Sequence, residues 1–149
     1  MTFESVKMKV ITKKNIIEQY LDSLESGNAE KMTRLFSDDA IIHSPLYGNV
    51  LAKVFFKRLF SDTHRSEITL LNLFNSLDKP DLYAAQFRYT WILKSGALTS
   101  FECMDIFQFN ERDKITEMTI IYDTYQIRDE FSATSPPALS EGEGARPCE

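Results

Sequence analysis

The sequence predicts a single α+β domain in which three helices precede an antiparallel meander of four strands. Three observations carry this. The chain has 149 residues, the size of one domain. Apolar residues recur with helical spacing only in the N-terminal part of the chain, and from Glu67 onward the pattern changes to extended runs separated by short polar turns. With 43% hydrophobic residues, including eleven Phe, six Tyr and one Trp, the chain can bury enough apolar surface to offset the entropy of ordering it. No metal or disulfide staple is needed.

The first helix shows as Ile16, Ile17, Tyr20, Leu21 and Leu24, the spacing of one buried face. Thr12 or Asn15 can cap its start and Gly27 supplies its stop. Asn28 then caps a short second helix that turns Met32, Leu35 and Phe36 inward, and Asp38 and Asp39 suit a turn. Residues 40–44 read as a short extended piece ended by Pro45. Gly48 and Asn49 precede a third helix whose face holds Val50, Leu51, Val54, Phe55 and Leu59.

The strands are expected at 68–77, at 82–93 after Asp78-Lys79-Pro80-Asp81, and at 98–109 after Lys94-Ser95-Gly96, with a last one at about 114–127. Links this short require antiparallel neighbours, since parallel pairing needs a crossover of about a dozen residues or more. The helices must then cover one face of the sheet. The domain is expected to span residues 1–131. Residues 132–149 offer almost nothing apolar and are expected to form a disordered tail.

Charge and cysteine usage exclude several classes of function. A net charge of −5 and a pI near 5.1 argue against a nucleic-acid partner, and the pair Lys13 and Lys14 is too small a basic cluster to change that. Two cysteines, Cys103 in an apolar stretch and Cys148, make neither a disulfide framework nor a zinc site, and a reducing compartment fits best. No apolar run approaches the roughly 20 residues of a membrane span, and the first residues lack the apolar core of a secretory signal. The expectation is a soluble, cytosolic protein without a membrane partner. Phosphate-loop, dinucleotide and metal-ligand motifs are absent from the sequence, so no cofactor and no metal site are expected.

Two polar residues do not fit a plain core. Alternation along the third long strand puts Phe101, Cys103, Asp105, Phe107 and Phe109 on one face, which leaves Asp105 within an aromatic row. Such an acid is either paired with Arg88 or a lysine, turned to solvent by a twist, or protonated with a raised pKa. Tyr20 is the only hydroxyl-bearing residue on the apolar stripe of the first helix, so its OH needs a buried partner. A tyrosine and a protonated acid that met in an apolar cavity would form two donors for a carbonyl or enolate oxygen.

The run from Ile17 to Asn28, IEQYLDSLESGN, resembles the first helix of the ketosteroid isomerases, and Phe36-Ser37-Asp38-Asp39-Ala40 resembles the segment that follows it. Met104-Asp105-Ile106-Phe107-Gln108-Phe109-Asn110 with Lys114-Ile115-Thr116-Glu117-Met118 is similar to their strand and hairpin carrying an oxyanion-hole acid. Met118-Thr119-Ile120-Ile121-Tyr122-Asp123-Thr124 is similar to SnoaL-like proteins, and together the likeness to this nuclear transport factor 2-like superfamily covers most of residues 14–130.

The resemblance implies a strongly bent antiparallel sheet forming a cone around an apolar pocket, with Tyr20 and Asp105 at the two oxyanion-hole positions. In those isomerases the acid stays protonated in its apolar site. Their catalytic aspartate before a proline is replaced here by Ser44 before Pro45, and serine is not a base near neutral pH. His43 is one candidate substitute, although alternation sends it to the face opposite Ser44. Asp123 is the other, because the resemblance places it where SnoaL-like cyclases carry an acidic base.

The wall of the pocket is expected to draw on His43, Ser44 and Phe55, on the stripe Phe87, Tyr89 and Trp91, and on Phe101, Phe107, Met118 and Tyr122. The expected function is that of a small-molecule pocket protein for an apolar, carbonyl-bearing ligand, acting by proton transfer as an isomerase, cyclase or dehydratase. The alternative is a non-catalytic binding module, or one that forms a homodimer through the sheet.

Overall fold

The computed structural model describes residues 2–125; the expected tail, Cys148 and the final residues of the last expected strand lie outside them. Helix α1 spans Phe3–Ser26 and starts well before the expected cap, at Thr2, whose side chain accepts from the Ser5 N–H at 3.0 Å. Residues 2–11 form this extension and are exposed, with Phe3 at 77%. Periodicity shows only the part of a helix that packs, which is why the first turns left no signal. The C-terminus is as expected: Gly27 takes a left-handed φ of 69° and its N–H returns to the Ser23 carbonyl at 2.9 Å.

Asn28 caps α2, Ala29–Thr33, by accepting from the Lys31 N–H at 3.0 Å, and Met32 is its buried residue. Phe36 is not helical. It begins strand β1, Phe36–Ser44, which also contains Asp38 and Asp39. These two aspartates lie where the register against the last strand slips, between Phe36 and Ile41, so they bulge out into solvent inside a strand instead of making a turn.

Ser44 closes the next turn by accepting from the N–H groups of Leu46 and Tyr47, at 3.2 and 3.0 Å. Strand β2, Gly48–Leu51, then pairs back on β1, so Val50 and Leu51 are extended and not part of a helix. Helix α3 runs only over Ala52–Asp62. Its buried face is Ala52, Phe55, Phe56 and Leu59, while Val54 is 49% exposed.

Strand β3 follows at once as Thr63–Asn75, then β4, Leu82–Leu93, and β5, Leu98–Phe109, with the expected limits, and β6, Ile115–Ile121. The six strands lie in the order β2-β1-β6-β5-β4-β3. All neighbours are antiparallel except β1 and β6, which are parallel, so the sheet is mixed and not wholly antiparallel. Short turns determine only the meander; β1 reaches β6 across α3 and four intervening strands, a connection long enough for parallel pairing. Irregularities between Thr63 and Arg65 and between Leu70 and Asn72 bend the outer strand. The result is an open α+β cone.

Its inner face is built by strict alternation. Along β4, Tyr83, Ala85, Phe87, Tyr89, Trp91 and Leu93 are all buried, and along β5 Cys103, Asp105, Phe107 and Phe109 are buried. Lys13 of α1 is also buried, at 2% exposure. Its ammonium reaches Asp113 Oδ1 at 2.8 Å and Asp81 Oδ1 at 3.9 Å, and lies 5.4 Å from the Phe109 ring centre. One side chain thereby ties α1 to the turns before β4 and β6.

Candidate functional site

Helix α1 turns Tyr20 and Leu24 into the cone because these positions share a stripe with Ile17. Opposite them, period-two alternation brings in Phe87, Tyr89 and Trp91 from β4 and Cys103 and Asp105 from β5. Phe55 and Leu59 of α3 close one side, Ser44 and Tyr47 of the β1–β2 turn a second, and Ile120 and Tyr122 a third. The cavity they enclose measures about 40 Å³. That is room for roughly one to three waters, far below the several hundred Å³ of a pocket for a drug-sized ligand.

The polar centre is compact. Tyr20 Oη donates to Asp105 Oδ2 at 2.6 Å, and the Cys103 thiol donates to Oδ1 at 3.2 Å. Asp105 is 1% exposed. Neither Arg88 nor a lysine neutralises it: Arg88 is on the outer face with Glu102, at 3.1 Å. Burial pushes the Asp105 pKa from an ordinary 3.8 up to about 6, and the Tyr20 and Cys103 hydrogen bonds hold it from rising further. Burial also raises the Tyr20 phenol and the Cys103 thiol, each reinforced by the Asp105 charge. Cys103 is therefore a neutral donor and not a thiolate nucleophile. Above pH 6 Asp105 is an acceptor at both oxygens, and Tyr20 donates to it. The two groups meet, but as a bonded pair and not as two donors aimed at a common third atom.

Around this centre the hydroxyls of Tyr47 and Tyr89 are also engaged. Tyr47 donates to Asp62 Oδ2 at 2.6 Å, and Tyr89 shares a 3.2 Å hydrogen bond with the buried Ser66. The Trp91 indole N–H donates to Thr63 Oγ1 at 2.8 Å. Tyr122 stacks on Phe101 with ring centres 4.3 Å apart.

Of the residues expected at the pocket, Ser44, Phe55, Phe87, Tyr89, Trp91 and Tyr122 line the cavity beside Tyr20 and Asp105. Phe107 and Met118 are buried but lie behind the lining; Phe107 meets the Tyr20 ring edge-on at 5.0 Å. Phe101 supports the rings of Tyr122 and Tyr89 from the rim. His43 is not a wall residue: its side chain is on the other face of β1, between Asn49 Oδ1 at 2.9 Å and Glu117 Oε2 at 2.5 Å. Both hydrogen bonds raise its pKa by favouring a ring protonated on both nitrogens. Asp123 is exposed, and its Oδ1 accepts from the Tyr125 N–H at 3.0 Å, outside the cavity. The chain does not bring either substitute base to Asp105.

Sequence reasoning missed Leu24, Tyr47, Leu59, Cys103 and Ile120 as lining residues. Cys103 shares a strand face with Asp105, and Leu24 shares a helix face with Tyr20, so both were recoverable. Tyr47 sits in a turn, and the hydrogen bonds of its N–H to Ser44 and of its hydroxyl to Asp62, neither visible in a sequence pattern, hold it inward. A wider groove of about 560 Å³ between α2, α3 and the β5–β6 turn is lined by solvated side chains such as Arg34, Lys53 and Lys114 and holds no buried acid or base. Among the described residues no cluster of His, Cys, Asp and Glu is arranged to hold a metal, and no helix is long and apolar enough to cross a membrane.

An open cone of mixed sheet closed by helices, with its polar centre on the concave face, is the architecture of the nuclear transport factor 2-like proteins. Residues 17–118 match the SnoaL-like domain, and the chain belongs to that family. No curated protein is similar to it in sequence. Among solved structures, it is similar to a protein of ketosteroid isomerase-like fold from Catenulispora acidiphila in complex with trimethylamine. The TM-score is 0.63 at 12% identity, covering 72% of this chain and 85% of that one. It is also similar to the epoxide hydrolase/cyclase-like enzyme SalBIII of pyran ring formation in salinomycin, with a TM-score of 0.66 at 14% identity over 76% and 92% of the two chains. TerC, co-crystallised with polyporic acid, gives 0.66 at 12% identity over 79% and 96%. At these identities the likeness is one of fold, a fold that serves ligand binding and enzymes.

Proposed function

We propose that this is a cytosolic small-molecule pocket protein that moves a proton on an apolar, carbonyl-bearing ligand, in the manner of an isomerase, cyclase or dehydratase. One observation carries the reading: a carboxylate with no cationic partner among the described residues is buried among aromatic rings at the wall of a cavity, with its pKa pushed up to about 6. Such a group can take a proton near neutral pH and return it, which an ordinary exposed aspartate does far less efficiently. Asp105 is the proton carrier in this reading. Tyr20 positions it and holds its pKa within working range. Asp105 thus replaces both the missing aspartate before Pro45 and the exposed Asp123 as the base.

A cavity of about 40 Å³ admits such a ligand only if rim side chains move aside, and this favours a compact substrate. The test is deuterium exchange at the α-carbon of small cyclic ketones in D₂O, followed by proton NMR. Wild-type protein should accelerate exchange, and Asp105→Asn should lose about 10²-fold or more of that acceleration. Exchange no faster than with an equal concentration of free carboxylate would sink the catalytic reading. The small cavity specifically favours the second reading, a non-catalytic module whose tyrosine-acid pair is structural. A homodimer through the outer face of the sheet, which carries Met104, Ile106 and the half-exposed Ile121, is compatible with either and is read by sedimentation.

A further inference from the structure

Four tyrosines line the cavity, and their hydroxyls differ in one respect. Tyr20 donates to Asp105, Tyr47 donates to Asp62, and Tyr89 is bonded to Ser66. Tyr122 has no hydrogen-bond partner among the described residues, although it lines the cavity and its hydroxyl lies within electrostatic reach of Asp105, Cys103 and Tyr89. A polar group that is largely withdrawn from water and unbonded is uncommon in a folded protein, because its lost hydration is not replaced. Burial keeps this phenol protonated well past neutral pH, so the group is a donor. Its ring is fixed by the stack on Phe101, at 19° between planes, and the hydroxyl is therefore held in place and not free to swing to solvent.

We infer that the Tyr122 hydroxyl is the donor that a ligand oxygen meets in this cavity, so that Tyr122, and not Tyr20, fixes the orientation of the bound carbonyl. The inference rests on the proton-transfer reading of the pocket and assigns its two poles. Asp105, ionised above pH 6, faces an acidic C–H; Tyr122 faces the oxygen on which charge grows as that proton leaves. In the step itself the α-C–H bond breaks, an O–H bond forms on Asp105, and the electron pair moves onto the oxygen bonded to Tyr122. Return of the proton from Asp105 to carbon restores the enzyme, with no net oxidation and no second reactant. The ligand class follows as small enolisable ketones, matched by a donor at one end and an acceptor at the other. Tyr20, already committed to Asp105, is a positioning residue.

The test pairs a ligand change with a protein change. The probes are 1-indanone and indane, which differ only in the carbonyl oxygen, bound to wild-type protein and to Tyr122→Phe, Tyr20→Phe and Tyr89→Phe. Wild type should prefer the ketone by roughly three- to tenfold, the size of one hydrogen bond. The bound carbonyl stretch should shift to lower frequency. Tyr122→Phe keeps the stacked ring, and it should erase both the preference and the shift, while the other two variants keep them. A preference and shift that persist in Tyr122→Phe, or that vanish only in Tyr20→Phe or Tyr89→Phe, overturn the assignment of the donor and leave the pocket reading standing. Failure of both probes to bind wild type at millimolar concentration overturns the pocket reading and this inference together.

Discussion

Lys13 and Asp105 are both charged residues with almost no exposed surface, and the same stripe of α1 serves both, since Lys13 and Tyr20 are two helical turns apart. Their surroundings are opposite. Lys13 is answered by two carboxylates, Asp113 and Asp81, whose own side chains are open to water. Among the described residues Asp105 is answered only by neutral donors, a phenol and a thiol, within an aromatic wall. A charge answered by charge at the solvent boundary acts as a tie. A charge answered by dipoles in the interior is left poised between two protonation states, which suits chemistry better than stability.

The comparison can be broken first at Lys13. Lys13→Glu sets three acids together against the middle of α1 and should cost about 3–5 kcal/mol, lowering the thermal midpoint by roughly 10 °C or more. A fall below about 5 °C would mean that the turns are held by something else. Next in size is the pH dependence of Asp105. Its folded pKa of about 6 lies above the unfolded value near 3.8, so its contribution is fully present below about pH 4 and is lost as pH rises through 6. About two units at roughly 1.4 kcal/mol each amount to about 3 kcal/mol. Relative to Asp105→Asn, wild type should lose that much between pH 4 and 7.5 in urea titrations; parallel profiles would refute the raised pKa.

A smaller effect sharpens the same point. Tyr20→Phe removes a donor that holds the Asp105 pKa down, so the acid should titrate above pH 6, at a stability cost of about 1 kcal/mol. Carbon-13 NMR of the carboxyl reads this directly, and a downward shift would contradict the hydrogen bond. The smallest effect belongs to His43 on the outer face. Its folded pKa is raised, so its contribution is present below the ordinary 6.5 and fades as pH rises through the folded value. His43→Gln should therefore lower stability only on the acid side, by less than about 1 kcal/mol for so exposed a pair. An equal loss at pH 9 would assign the effect to packing.

What the sequence made legible follows from which signals are local. Strands β4 and β5 were placed to the residue because Asp78-Lys79-Pro80-Asp81 and Lys94-Ser95-Gly96 are strong turn signals flanking clean alternation. The same alternation put Asp105 on the aromatic face, and the helical stripe put Tyr20 inward, so their encounter needed only the two elements to pack. The first turns of α1 left no trace because nothing packs on them. Val50 and Leu51 looked helical because two adjacent apolar residues fit either period, and only the pairing of β2 with β1 decides between them. The states of Asp105 and Tyr122 were beyond the sequence for a different reason: each depends on which groups fail to reach it.

The parallel pairing of β1 with β6 bears on the order in which the chain can fold. Register partners such as Ile42 and Met118 are separated by most of the domain, whereas every pairing within the meander is closed by a short turn. Hairpins of that kind form in microseconds, but bringing β1 to β6 requires a large loop to close before any contact there is gained. Non-local pairing of this sort slows folding across small domains. During synthesis β1 leaves the ribosome long before β6 exists, so β1, with the buried Ile42 on it, has only β2 to pair with until β6 has been made. The strand that carries Ser44 to the cavity is thus among the last to be locked in place, and the pocket is completed only when the sheet is.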